Sequence, residues 1–184
     1  MQADEIAART AALMPGLIED LEKLVAIPSV AFPGYPPEPV ERMAEETLRM
    51  FRAAGFTDAR LMEVLTGYPP IYGEVPGPEG SPVVVLYAHY DVQPAPPEQG
   101  WTSDPWTATR KDDGRIYGRG AADDIGGLVT HLGTMAPGAE FVLWGPEDVA
   151  AARIHSSDES VDPREIESMV VAQALLLQRL GGAG

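Results

Sequence analysis

Apolar positions along the chain fall into a helical rhythm at both ends and a strand rhythm between them. From Asp4 to Ile27, Leu13, Leu17, Leu21 and Leu24 recur at helical spacing, with Glu19, Asp20, Glu22 and Lys23 on other faces. Pro15 interrupts this segment, which predicts a kink there or a second helix starting near Met14. A proline-rich loop over 28–39 precedes a second amphipathic helix, with Val40, Met43, Thr47, Leu48 and Phe51 on one stripe and Gly55 as its stop. Ala59 to Val64 and Ile71 to Val75 read as short strands. The run Val83-Val84-Val85-Leu86-Tyr87-Ala88 is continuously apolar and β-branched, the pattern of a strand buried on both faces. Trp106 to Arg110 and Arg115 to Tyr117 flank Asp112-Asp113-Gly114 as a hairpin. Gly126 to Met135 predicts a short helix and Ala139 to Trp144 another apolar strand. The last element, Asp162 to Leu180, has the clearest signals. Asp162 suits the N-cap, Pro163 the first helical position and Glu165 the return partner of a capping box. Ile166, Met169, Val170, Gln173, Leu176, Leu177 and Leu180 then share one face.

Helices alternating with strands, one of them fully apolar, predict an α/β fold, a three-layer α/β/α sandwich on a mostly parallel or mixed sheet. The length of 184 residues suits one domain, with no internal repeat and no low-complexity linker. Twenty-eight acidic residues against 13 Lys and Arg give a formal charge of −15, which argues against nucleic acid and against anionic membrane surfaces. The absence of cysteine excludes disulfides, thiolate metal sites and cysteine nucleophiles. With no apolar run long enough to span a bilayer and no basic region at the N-terminus, the expectation is a soluble cytoplasmic domain.

Three places carry candidate chemistry. His89 follows directly on the apolar run, at a strand end where α/β sheets bind ligands, and Asp91 stands two residues on. A carboxylate so placed can accept the spare ring N–H and leave the other nitrogen free for a metal. The alternative is a histidine capping the strand, with Asp91 in a turn before Pro94. In Gly118-Arg119-Gly120-Ala121-Ala122-Asp123-Asp124, adjacent carboxylates after a glycine-rich turn suit a divalent cation, which one of them could share between two ions. They equally suit the start of the following helix, and the two readings are compatible. His155 lies in a polar loop, whereas His131 falls inside a helix and reads as a satisfied core or surface histidine. No Gly-x-Ser-x-Gly elbow supports a serine nucleophile.

Taken together the fragments resemble the M20 family of dinuclear zinc metallopeptidases, the dipeptidase and carboxypeptidase-like hydrolases. Leu24-Val25-Ala26-Ile27-Pro28-Ser29-Val30 is similar to the family's first helix and turn, and Tyr87-Ala88-His89-Tyr90-Asp91-Val92-Gln93-Pro94 to its His-x-Asp strand end. Gly100-Trp101-Thr102-Ser103-Asp104-Pro105-Trp106 and Tyr117-Gly118-Arg119-Gly120-Ala121-Ala122-Asp123-Asp124 are similar to the loop and metal turn that follow. The resemblance covers roughly residues 5–132, and 138–180 resemble the family's far C-terminal end. It implies that His89 ligates one zinc, Asp123 bridges two, His155 ligates the other and Asp91 orients His89. It implies hydrolysis of small peptides or related amides, with zinc as cofactor, cobalt(II) or manganese(II) as substitutes, and a possible homo-oligomer.

The departures are specific. The family's Glu-Glu pair, general base and ligand, is not recognisable, nor is a further acidic ligand or the inserted lid domain. Asp123-Asp124-Ile125-Gly126 stands where the family has Asp-Asp-Lys-Gly. The expectation is a single partial catalytic domain over 1–184 with a large internal stretch removed. One ion shared by His89, Asp123 and His155 would then replace two, since two ligands per zinc fall short of the usual three. Glu147, Asp148, Asp158 or Glu159 would have to serve as base, and loss of a general base typically costs about two to four orders of magnitude in rate. The other expectation is a non-catalytic chain, a weak metal binder or a self-association module, with the apolar stripe of the last helix as one candidate surface.

Overall fold

The computed structural model describes residues 3–77, 79–80, 83–135 and 149–181. Helix α1 (Ala3–Val25) runs through Pro15 as one element. Pro15 sits on the exposed side, where the ladder bond it cannot make faces water rather than the core. Helix α2 (Glu38–Ala53) follows, then strands β1 (Thr57–Leu61) and β2 (Ile71–Glu74), an antiparallel pair in which Arg60 opposes Tyr72 and Leu61 opposes Ile71. Strands β3 (Thr109–Arg110) and β4 (Ile116–Tyr117) form the expected hairpin around Asp112-Asp113-Gly114. Helices α3 (Ile125–Met135) and α4 (Val149–Ala152), strand β5 (Ser160–Val161) and helix α5 (Pro163–Gly181) complete the chain. β5 pairs antiparallel with β4, Ile116 opposite Val161 and Tyr117 opposite Ser160.

Helix α3 is the centre of the molecule: all eleven of its residues are buried. Leu17, Leu21 and Leu24 of α1 and Ile166 and Val170 of α5 pack with it in one cluster. Gly133 permits the approach, since a Cβ there would lie 2.6 Å from Leu17 Cδ1 and 3.1 Å from Val170 Cγ2. A second small cluster joins Ile6, near the start of α1, to Ala174 and Leu177 of α5. The capping box forms as the sequence predicts. Arg164 N–H donates to Asp162 Oδ1 at 2.8 Å, and Asp162 N–H donates to Glu165 Oε2 at 3.3 Å.

The mixed helix-and-strand expectation is met in part. Both sheets among the described residues are small, and every strand pair in them is antiparallel. Residues 83–88 have no ladder partner among them, and Val83, Val85 and Tyr87 are 92%, 76% and 66% exposed. A continuous apolar run becomes a buried strand only when neighbouring strands pair with both its edges and layers cover both its faces. Here the odd-numbered side chains face outward while Val84, Leu86 and Ala88 are partly covered. The predicted strand Ala139–Trp144 lies outside the described residues.

Candidate metal centre

Three pieces of chain converge on a cleft of about 360 Å³ lined by Tyr87, His89, Asp91, Val92, Gln93, Asp123 and His155. The first piece is the segment after the apolar run. The turn following α1 holds it: Ser29 Oγ–H donates to the Tyr90 carbonyl at 2.8 Å, and Val92 N–H donates to the Ser29 carbonyl at 3.0 Å. Tyr90 Oη–H reaches the Pro69 carbonyl at 3.0 Å. This is the role of the Ile27-Pro28-Ser29-Val30 turn: it fixes the backbone that carries His89.

The second piece is the turn before α3. Gly120 has φ +84°, and a Cβ there would meet Ile125 Cδ1 and Val92 Cγ1 at 2.7 Å. Glycine is therefore required for the turn to close against the core and aim Asp123 into the cleft. Asp124 is turned to the neighbouring piece, accepting the His89 backbone N–H at 3.2 Å. The third piece is the loop 153–159, in which Arg153, His155 and Asp158 all have positive φ (53°, 62° and 56°). Asp158 Oδ1 accepts Thr102 N–H at 3.0 Å and Thr102 Oγ–H at 2.8 Å, anchoring the loop.

Asp123 is the shared element. Its Oδ1 lies 3.2 Å from His89 Nε2 and its Oδ2 lies 2.5 Å from His155 Nε2. His89 Nδ1 faces the Asp91 carbonyl oxygen at 2.9 Å and the Asp91 carboxylate at 3.5 Å. The nearer acceptor is thus the main chain of Asp91, with its carboxylate behind. Hydrogen bonding to Asp123, then to Asp91, pushes His89 up to about 11 against the opposing effect of burial. The same contacts hold the Asp123 carboxyl below its ordinary value, His89 first, and that of Asp91 likewise. With imidazole nitrogens and one carboxylate, the donor set is of the kind zinc takes. Among the described residues no three His, Asp or Glu side chains gather around one ion position. The pattern is two imidazole–carboxylate pairs sharing Asp123.

Sequence reasoning missed the support beneath this set. Arg119 and Glu159 form an ion pair, Nη1 to Oε2 at 2.6 Å, with both side chains 1% exposed. Burial pushes the Glu159 carboxyl up, while N–H donors from the turn and the Arg119 charge oppose that. Its oxygens are engaged, which removes it from the list of free bases, as Thr102 removes Asp158. Glu147 and Asp148 lie outside the described residues. His131 stays away from the cleft, as expected, with Nε2 against the Tyr87 carbonyl and Nδ1 against Gln173.

A mixed arrangement of helices and strands thus brings two histidines and a shared carboxylate to one cleft, and known proteins offer a comparison. Residues 85–140 match the Peptidase family M20/M25/M40. The chain is 36% identical over 132 residues to the Cys-Gly metallodipeptidase DUG1 of Candida albicans, covering 65% of this chain and 27% of that protein. With the β-Ala-His dipeptidase of Rattus norvegicus it shares 29% identity over 163 residues, 74% of this chain and 32% of the relative. Human carnosine dipeptidase 1 superimposes with a TM-score of 0.63 at 24% identity, over 74% of this chain and 31% of that one. An M20 metallo-carboxypeptidase from Sulfolobus solfataricus gives 0.54 at 30% identity, over 66% of this chain and 26% of that one. Over these segments the chain is similar to proteins of the M20 family, among them proteins named as dipeptidases. The chain spans about a quarter to a third of the length of the curated relatives it matches.

Proposed function

We propose that this chain carries the metal centre of a dipeptidase-like hydrolase, with His89, Asp123 and His155 as ligands to one or two zinc ions and Asp91 orienting His89. The observation that supports it best is the Asp123 carboxylate, which offers one oxygen to each imidazole Nε2. Cobalt(II) and manganese(II) are substitutes for zinc. Bound zinc supplies Lewis acidity toward a carbonyl and a water acidic enough to ionise near neutral pH. The Asp91 main chain accepts the His89 Nδ1–H, which keeps the Nε2 lone pair aimed into the cleft. Asp123 contributes negative charge to both imidazoles and holds the two halves of the site together. Tyr87 and Gln93 line the same cleft, where a small peptide or amide substrate would lie. With Glu159 and Asp158 engaged in structural contacts, this reading expects turnover well below that of a site with a dedicated base.

The same reading takes 1–184 as a single partial catalytic domain, cytoplasmic, built on a reduced three-layer α/β/α sandwich. No helix among the described residues is long and apolar enough to cross a membrane. The test is zinc content of the purified chain, followed by hydrolysis of Cys-Gly and β-Ala-His with and without zinc. Retained zinc lost on His89→Ala, with chelator-sensitive turnover, is the expected result. A wild-type chain that retains no zinc overturns the metal reading. A second reading, self-association, has one observation in its favour: the outward Val83, Val85 and Tyr87. Concentration-dependent sedimentation distinguishes it, because a monomer at every concentration rejects it.

A further inference from the structure

We infer that Glu159, together with Arg119, is a positioning residue for the candidate metal centre, setting the aim of Asp123 and His155 without itself entering the cleft. This rests on the metal reading above and adds a role for a pair that reading does not use.

Glu159 divides its two oxygens between two tasks. Oε2 takes the Arg119 guanidinium at 2.6 Å. Oε1 accepts the backbone N–H groups of Ala122 at 3.2 Å and Asp123 at 3.0 Å, so the main chain of the shared carboxylate residue hangs on it. The Glu159 carbonyl also accepts Gly118 N–H at 3.0 Å, binding the start of the same turn. Arg119 extends the connection. Its Nη2 donates to Gln99 Oε1 at 3.1 Å, to the Ser156 carbonyl at 3.3 Å and to the Pro94 carbonyl at 3.4 Å. Ser156 follows His155, and Pro94 closes the segment that carries His89. One buried pair therefore ties together all three pieces of chain that bring a candidate ligand.

Stability alone does not account for such a pair. Desolvating two charges offsets most of their attraction, and apolar replacements of similar volume are often neutral or stabilising. What an apolar pair cannot do is accept two adjacent N–H groups and hold a neighbouring loop carbonyl. Those are the contacts that fix the angle between Asp123 and the two imidazoles. Partners that orient metal ligands typically change metal affinity by about 10–100-fold when removed.

The test uses the full metal-free chain and two variants, Glu159→Gln and the double replacement Arg119→Met with Glu159→Leu. Zinc affinity is measured by calorimetry, and the visible absorption of bound cobalt(II) reports coordination geometry. Circular dichroism and thermal melting check the fold. Folded variants that bind zinc about 10–100-fold more weakly, with altered cobalt(II) absorption, are expected. A folded variant with affinity within about twofold of wild type and an unchanged cobalt(II) spectrum overturns the inference. So does recovery of both melting temperature and affinity in the double replacement, the behaviour of a merely structural pair. If neither variant folds, the wild-type chain still decides. The buried Arg119 Nε–H resonance should shift on zinc titration, and an unmoved signal overturns the role. A wild-type chain that binds no zinc is a different failure, since it removes the metal reading itself.

Discussion

His131 Nε2 lies 3.1 Å from the carbonyl oxygen of Tyr87, so the central helix α3 grips the chain two residues before His89. The grip comes from the interior, with Gln173 of α5 against the other ring nitrogen at 3.3 Å. Burial lowers the pKa of His131 below the ordinary histidine value, so the folded chain favours the neutral ring. The sign follows from linkage. An unfolded chain takes up this proton near pH 6.5 and the folded one resists, so the contribution is full above that pH and is lost as pH falls below it. The difference in stability between wild type and His131→Gln should therefore shrink from pH 7 to pH 5, with a slope of at most about 1.4 kcal/mol per pH unit. Urea melts across that range measure it, and a difference independent of pH contradicts the buried neutral ring.

His89 carries the opposite sign. In the metal-free chain its pKa is raised to about 11, with Asp123 the largest cause. Its stabilising contribution is complete below pH 6.5 and is lost as pH rises toward 11. Asp123→Asn should bring the His89 titration down by at least about one unit, read from the ring carbon proton shifts. A titration that stays near 11 in the variant assigns the shift to Asp91 instead.

Gly120 and Gly114 offer a controlled comparison. Both have positive φ, +84° and +82°, but a Cβ meets Ile125 and Val92 only at Gly120, while Gly114 has nothing within 4 Å. Gly114→Ala should cost about 1–2 kcal/mol for the left-handed backbone. Gly120→Ala should cost about 1–3 kcal/mol more through overpacking, and should weaken zinc binding with it. Equal costs in denaturant titration would show that Ile125 and Val92 yield.

Asp162→Ala should destabilise by about 1 kcal/mol, through loss of the bond to Arg164 N–H at the start of α5. In a double-mutant cycle with Glu165→Ala the two losses should not add, because each side chain completes the other's half of the box. Additive losses would argue against a reciprocal cap.

What could be read from the chain divides by distance. Asp162 and Glu165 lie three residues apart, so the cap depends on local chemistry and is visible in the sequence. The leucine rhythm of α1 is visible for the same reason. The run 83–88 shows the opposite case, since its apolarity says nothing about which strands, if any, pair with it among the described residues. For His89, Asp123 and His155 the residues alone left capping and ligation open, and only the order of several fragments pointed to a shared site. Arg119 and Glu159 were invisible as a pair. Forty residues separate them, and no spacing rule links a glycine-turn arginine to a loop glutamate.

Ile6 packs against Ala174 and Leu177, so a contact at one end of the core is made across nearly the whole chain. The entropy of closing so large a loop must be met before that contact returns anything, and long-range contacts of this kind slow folding. Helix α1 therefore has to wait for α5 before its outer turn is covered. During synthesis α1 would leave the ribosome before α5 is made, with that apolar turn bare until α5 arrives.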